Sequence, residues 1–339
     1  MTATTPSNSK KRLSLGFIGV GWIGRSRMEA LINQGNIKAV VIAEPCMQNA
    51  SNALKMAAGA RLVKSPEDVY KNEALDGIVI ATPSALHASQ SLEALKAGKA
   101  VFCQKPLGRT SEEVEQIINA SKEADKLLFV DLSYRYTKAF QAIYDTIIRG
   151  EIGRIHAVNL VFHNAYGPDK AWFYDIKQSG GGCVIDLGVH LLDMALYCLG
   201  FPEVINLQSH LYSRGIKLKP NEEKVEDFAK IFMSTADETT LSLECSWNAS
   251  AGQDAVIEVV FYGSEGGVAL KNINGSFYDF KAEKYKGTHT QILVLPPDDW
   301  SGRTGLAWAE KIAAGQGYDQ VIANEYLKTA RIIDRIYGR

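Results

Sequence analysis

A chain of 339 residues is long enough for about two domains of ordinary size. Its 46% hydrophobic and 22% charged residues suit a globular protein, and no run approaches the ~18 consecutive apolar residues of a membrane-spanning helix. A formal net charge of −1 gives no electrostatic reason to expect nucleic acid or a membrane surface as a partner.

Residues 1–11 are polar, and no apolar signal-peptide core follows them, so they are expected to form a disordered tail. Leu13 to Val20 is an apolar, strand-like run. It leads into Gly19-Val20-Gly21-Trp22-Ile23-Gly24, and Arg25 to Gln34 then has helical character. Strand, Gly-x-Gly-x-x-Gly turn and helix in that order are the context a dinucleotide-binding fingerprint requires. Gly19 permits the tight turn, Gly21 lets backbone N–H groups approach a pyrophosphate, and Gly24 lets the helix pack close to the sheet. A second strand, Ile37 to Ala43, ends at Glu44, where an acid for the ribose hydroxyls is expected. A carboxylate there repels a 2′-phosphate, which favours NAD over NADP.

The alternation continues with a helix at Asn49 to Ala58, a short strand at Arg61 to Val63 and a capped helix start at Ser65-Pro66-Glu67-Asp68. Gly77 to Ala81 reads as a buried strand followed by Thr82-Pro83-Ser84-Ala85-Leu86-His87. In a doubly wound sheet this loop lies beside the cofactor, which makes Thr82, Pro83 and His87 candidate contacts. His87 to Ala97 is a helix. Ala100 to Cys103 is the next strand, and Pro106 cuts it off so that Lys105 projects at the sheet's carboxyl edge. A helix at Thr110 to Ala124 and a strand at Leu127 to Leu132 complete a parallel sheet with helices on both faces.

Beyond it, Lys138 to Gly150 reads as a helix and Arg154 to Asn164 as a strand ending in His163. A loop with Tyr166, Trp172, Phe173, Tyr174 and Asp175 follows. Aromatic and polar groups together suit a sugar or polyol, and the same aromatics also suit plain core cover. Gly180-Gly181-Gly182 opens a helix from Val184 to Leu199. Asp186 and His190 on it are four apart and so share a face, where a carboxylate beside a histidine can handle a proton. Strand-like runs at 204–212, 227–234, 239–247, 255–262 and 267–270 have short turns between some of them, which implies a largely antiparallel sheet. Gly317 to Tyr337 reads as a structural helix that packs back on the first domain. Five scattered cysteines without CxxC spacing point to reduced thiols in a cytoplasm, and the six histidines form no metal-ligand cluster.

The ordered set of Gly19-x-Gly21-Trp22-x-Gly24, Thr82-Pro83 with His87, Lys105-Pro106, the triple glycine and Asp186-x-x-x-His190 resembles the Gfo/Idh/MocA oxidoreductases. The resemblance runs from about Leu13 to the last helix. It implies an α/β Rossmann domain over residues 12–135 and an α+β domain with a large open sheet over 136–339. It also implies a nicotinamide cofactor held by the Gly19–Gly24 loop, Trp22 and Ile23 included. Lys105, Asp186 and His190 occupy the catalytic positions, and a homodimer or homotetramer would form through the open sheet. Two positions depart from the family pattern. Gln104 stands where Glu precedes Lys-Pro, removing a charged partner expected for Lys105, and Ser84 stands where Asn follows Thr-Pro.

The expected reaction is hydride transfer between nicotinamide and a carbinol carbon of a sugar, inositol or related polyol. His190 would take the hydroxyl proton, Lys105 would hold the oxygen, and Asp186 would orient His190 or bind a neighbouring hydroxyl. His163, Trp172 and Tyr174 are further substrate candidates. A nicotinamide-binding sugar sensor without turnover and a redox-assisted glycosidase stand as rival readings.

Overall fold

The computed structural model describes residues 12–34, 36–219 and 222–339; the expected tail, residues 1–11, lies outside the described residues. Six strands, β1 (Leu13–Ile18), β2 (Ile37–Ala43), β3 (Arg61–Val63), β4 (Gly77–Ile80), β5 (Ala100–Cys103) and β6 (Leu128–Val130), form one sheet in the order β3-β2-β1-β4-β5-β6. Every neighbouring pair in it is parallel. Its helices are α1 (Trp22–Asn33), α2 (Met47–Met56), α3 (Glu67–Tyr70), α4 (Ser84–Lys96) and α5 (Ser111–Ala124). Strands such as GIVI in β4 and AVFC in β5 are buried along their whole length, as a sheet covered on both faces demands. The strand order reverses beside β1 and β4. Such a switch opens a crevice at the carboxyl ends of the strands, where the loops after β1, β4 and β5 emerge.

The second sheet has nine strands: β7 (Ile155–Asn164), β8 (Val204–Ser213), β9 (Ile216–Lys217), β10 (Phe228–Thr235), β11 (Thr240–Ser246), β12 (Ala255–Gly263), β13 (Gly267–Asn272), β14 (Phe280–Lys286) and β15 (His289–Val294). The order is β15-β14-β13-β12-β7-β11-β10-β8-β9, antiparallel except where β7 pairs with β11. One face is covered by α6 (Lys138–Ile148), α8 (Val189–Leu199) and α10 (Gln320–Tyr337). Short α7 (Ile176–Ser179) precedes α8. The other face is open and exposes Phe232 and Tyr262. Ile176–Leu199 is apolar enough to cross a membrane by length and composition, but 83% of its most apolar window is buried, so the protein core accounts for that composition.

Besides the short α7, four elements were not foreseen. β14 and β15 carry charged and polar residues that mask their period-two pattern. Lys281 and Glu283 pair with each other at 2.6 Å on the open face, and β15 is a largely exposed edge. β9 is only two residues long. The fourth is α9 (Arg303–Ala313), which follows the second sheet yet returns to the first. Its fully buried Trp308 ring lies 5.6 Å from Phe102 on β5, and a Cβ on Gly77 would come within 2.8 Å of that ring. Residues 303–313 therefore cover the dinucleotide sheet.

The last helix, α10, also reaches the first sheet. Asp319 caps it by accepting from the N–H groups of Val321 and Ile322 at 3.1 and 3.2 Å, and Gly338, at φ +77°, ends it. Its Tyr326 hydroxyl accepts from the Val130 N–H at 3.1 Å, and its Asp334 accepts from the Ser111 N–H at 2.7 Å.

Candidate active site

The glycine loop after β1 separates into structural and open positions. Gly19 has φ +82°, and a Cβ there would lie 2.5 Å from the Ala81 carbonyl oxygen. A Cβ on Gly24 would lie 2.3 Å from the Gly19 oxygen. Both glycines are required by the protein's own packing. A Cβ on Gly21 would meet nothing within 4 Å. Gly21 heads α1, which has no side-chain cap and no acidic residue in its first turn, so its leading N–H groups are free for an anion. Trp22 beside it is 67% exposed, and Ile23 is half-buried. Glu44, at the end of β2, accepts from the Val20 N–H at 2.8 Å and the Cys46 N–H at 2.9 Å. Each carboxylate oxygen keeps a lone pair for a ribose hydroxyl. This open cradle and its donor set fit a dinucleotide.

Lys105 leaves the end of β5 and meets the second domain. Its Nζ donates to Asp186 Oδ1 at 2.6 Å and to the Asp186 main-chain oxygen at 2.8 Å. The main-chain contact has a local cause. Residues Val184–Gly188 form a π turn, in which the Val189 N–H donates five residues back to Val184. Such a turn holds an extra residue and frees a carbonyl from the helical ladder; these turns recur at functional sites. Asp186 Oδ2 accepts from Trp247 Nε1 at 3.1 Å.

The wide turn corrects the reading of Asp186 and His190 as partners on one regular helix. No hydrogen bond joins them. His190 is 7% exposed, its Nδ1 is sealed in without a partner, and its ring lies 4.7 Å from that of Tyr134. Burial first, then the positive charges of Lys105 and Arg27, hold its pKa well below the ordinary 6.5, so the imidazole is neutral at neutral pH.

Three other expectations change. Gln104 does not face Lys105: its amide donates to Asp131 Oδ2 at 2.5 Å, and Asp131 also takes Arg27 Nε at 2.6 Å. Successive side chains at a strand's end point to opposite sides, so losing Glu at this position takes nothing from Lys105. His87 is 1% exposed rather than open to a nicotinamide ring. Its Nδ1 lies 2.7 Å from the Pro106 oxygen and its Nε2 2.7 Å from the Thr82 oxygen. It ties the Thr82-Pro83 loop to the Lys105-Pro106 loop. The Thr82 hydroxyl donates to Gln90 Oε1 at 2.7 Å, and Pro83 leads into α4.

His163 is the third. It lies on the open face of the second sheet, with Nδ1 2.7 Å from Ser246 Oγ and Nε2 3.4 Å from Glu244 Oε1. Its neighbour Phe162 faces inward and packs against Tyr134 at 6.1 Å. Alternation on β7 therefore puts His163 on the opposite side of the sheet from Asp186.

The aromatic loop does reach the site. Phe173 and Tyr174 pack edge-on against Trp247, the Asp186 partner, at 6.1 and 5.6 Å. Tyr174 is half exposed, and its hydroxyl donates to the Pro168 oxygen at 3.0 Å. Burial raises its pKa, as do the Asp186 and Asp227 charges. Trp172 stacks on Phe173 at 3.8 Å. Trp247, Arg27 and Asp131 had no signal of their own in the sequence. Only the fold brings residues so far apart to one point. Among the described residues no cluster of His, Cys, Asp or Glu forms a metal site.

Family models place residues 13–132 in an oxidoreductase family with an NAD-binding Rossmann fold and residues 140–269 in the Gfo/Idh/MocA C-terminal domain. The chain is 31% identical to the 1,5-anhydro-D-fructose reductase of Ensifer adhaerens, over 75% of this chain and 82% of that one. It is 24% identical to the D-glucoside 3-dehydrogenase of Escherichia coli (strain K12), over 84% and 81%. Among solved structures, GenD2 from gentamicin A biosynthesis, in complex with NAD, superposes with a TM-score of 0.82 at 21% identity, covering 100% of this chain and 98% of that one. That likeness shows a shared fold. With a Rossmann domain whose glycine loop is open, an open-faced second sheet and both family domains matched, the chain belongs to the Gfo/Idh/MocA family of nicotinamide-dependent oxidoreductases.

Proposed function

We propose that the protein transfers a hydride between NAD and a carbinol carbon of a sugar, inositol or related polyol. The observation that carries this reading is the meeting of Lys105, from the dinucleotide domain, with Asp186 from the second domain at 2.6 Å, beside His190 and under a rim of Tyr174 and Trp247. Bound NAD supplies the hydride acceptor. The protein's part is to hold the carbinol and manage its proton. Lys105 Nζ donates to the carbinol oxygen and stabilises its developing negative charge, while Asp186 fixes the direction of that ammonium group. His190 Nε2, the ring nitrogen not sealed in, accepts the hydroxyl proton. With no acceptor behind Nδ1 to support an imidazolium, His190 is a weak base, so the reaction relies more on Lys105 than a histidine–aspartate dyad would. The half-exposed Tyr174 ring offers an apolar surface to a sugar face.

Glutamine at position 104 gives no reason to prefer the sensor reading, because its side chain faces Asp131 and not Lys105. For assembly we favour a homodimer or homotetramer through the open sheet face, where Phe232 and Tyr262 are exposed. A cytoplasmic location accords with five free cysteines.

The test is absorbance at the reduced-nicotinamide band with NAD and with NADP across a panel of sugars and polyols. Turnover with NAD is expected, and Lys105→Met and His190→Ala should each lower kcat by roughly 10²–10⁴-fold while NAD binding stays near normal. Wild-type turnover in either variant would refute the assignment. Equal use of NADP would refute the role of Glu44, and glycoside cleavage without net NADH would favour the glycosidase.

A further inference from the structure

The triple glycine takes no part in the chemistry above, and the structure shows what it makes room for. A helix begins with four N–H groups that have no partner within it. In the stretch carrying Asp186 and His190, two distant residues take all four. Gly182 N–H donates to Glu226 Oε2 at 2.9 Å, Val184 N–H to Glu226 Oε1 at 2.9 Å, and Cys183 N–H to the Glu226 main-chain oxygen at 3.1 Å. Ile185 N–H donates to the Tyr337 hydroxyl at 3.3 Å, and that hydroxyl donates to Glu226 Oε1 at 2.8 Å. The next N–H, of Asp186, turns back to the Gly182 oxygen at 3.1 Å.

Glu226 is 1% exposed and has no counter-cation among these contacts; N–H groups and one hydroxyl hold it. Such an arrangement tolerates little displacement, because each lost bond leaves a buried polar group unpaired. The glycines permit it. A Cβ on Gly182 would lie 1.8 Å from the Glu226 oxygen, and one on Gly181 would lie 2.1 Å from the Tyr337 hydroxyl. Gly180, at φ +84°, ends α7 and packs on Arg109, whose Cβ would be 2.7 Å away from an added Cβ. Tyr337 is the last residue of α10, the helix that also binds β6 through Tyr326 and α5 through Asp334. The cap is thus fixed to the same domain that carries Lys105.

We infer that Glu226 and Tyr337 are positioning residues, which set the height and rotation of the π turn so that Asp186 presents both its carboxylate and its main-chain oxygen to Lys105. This deepens the proposed reaction and rests on it. Neither residue touches the reacting atoms. A shift of about 1 Å at a reacting group can cost ~10²-fold in rate, which sets the scale of the effect.

Tyr337→Phe is the primary test, since it removes one hydroxyl and keeps the ring; Glu226→Gln, which keeps the shape but replaces an acceptor with a donor, is the second. For Tyr337→Phe, kcat is expected to fall roughly 10- to 100-fold with the NAD dissociation constant within about twofold of wild type. The limbs of the kcat–pH profile should move, because the Lys105–Asp186 contact loosens. Amide hydrogen exchange should quicken at residues 182–187 and stay unchanged in β1 to β5. A variant that loses only thermal stability, keeping kcat and the pH profile, would overturn the inference. If the wild type turned over no sugar, the proposed reaction would fail, and a crystal structure of Tyr337→Phe would still decide this point. Asp186 displaced from Lys105 supports the inference, and an unchanged contact sinks it.

Discussion

Asp131 follows β6 with 1% of its surface exposed, and its Oδ2 takes both the Arg27 guanidinium and the Gln104 amide, while its Oδ1 has no partner. One cation and one neutral donor balance one buried carboxylate there. Glutamate at position 104 would set a second carboxylate against Asp131 with the same single guanidinium, and burial raises the cost of the added charge. Gln104→Glu is therefore expected to lose about 1–3 kcal/mol of stability in urea unfolding. Asp131→Asn added to it should restore most of that loss, since an amide then faces the new carboxylate. Activity per folded molecule should hold, because Lys105 is directed to Asp186 instead. A single variant as stable as wild type would show that the Arg27–Asp131–Gln104 cluster does not explain glutamine at this site. The sequence places Gln104 beside Lys105 along the chain, but neighbours in an extended segment face opposite ways. Its true partner, Asp131, is 27 residues away and comes only with the folded sheet.

Elements were legible where local chemistry alone decides them. The glycine loop is the clearest case, and the structure divides its residues by purpose. Gly21→Ala meets no protein atom within 4 Å, and at φ −59° the backbone accepts a side chain. Stability should change by less than about 1 kcal/mol while NAD binding weakens about tenfold or more, as titration of intrinsic fluorescence would read. Gly24→Ala forces a Cβ to 2.3 Å from the Gly19 oxygen, so it should lower stability and binding together. If both substitutions behaved alike, Gly21 would not mark the phosphate position. The π turn was not legible, because spacing of four residues reads as a regular helix. The extra residue in the turn is held by Glu226, Tyr337 and Lys105, all distant in sequence. His163 failed differently. Alternation says that Phe162 and His163 face opposite ways, but only the packing of α6, α8 and α10 says which way is inward. The Lys281–Glu283 pair on β14 hid a strand for a related reason: it lies on the open face, where polar residues alternate with core ones.

At the scale of the whole molecule, the two domains meet around groups whose charge state is set by burial. His87 ties two loops of the first domain together, and its pKa is lowered chiefly by burial, against the pull of the Pro106 and Thr82 carbonyls. Lys105 lowers it further and Glu113 opposes. His190 lies on the second domain, and its pKa is lowered more strongly, by burial, Lys105 and Arg27. In the unfolded chain both histidines titrate near 6.5. As pH falls below that value, the unfolded chain takes up a proton that the folded His190 refuses, so stability declines. The limiting slope is about 1.4 kcal/mol per pH unit for each histidine that stays neutral. Above ~6.5 neither state gains a proton at these sites, and the contribution is constant. Glu226 acts with the opposite sign, because burial raises its pKa. The folded form then protonates first, and stability rises as pH falls through that raised value, which opposes the decline. Urea unfolding followed from pH 8 to pH 5 should therefore show a plateau and then a fall that begins near 6.5. His190→Ala should reduce the slope of that fall by about one proton's worth, whatever it does to the midpoint at pH 8. A His190→Ala variant that kept the wild-type slope would mean that His190 is not held neutral in the folded protein, and the reading of it as a weak base would fall.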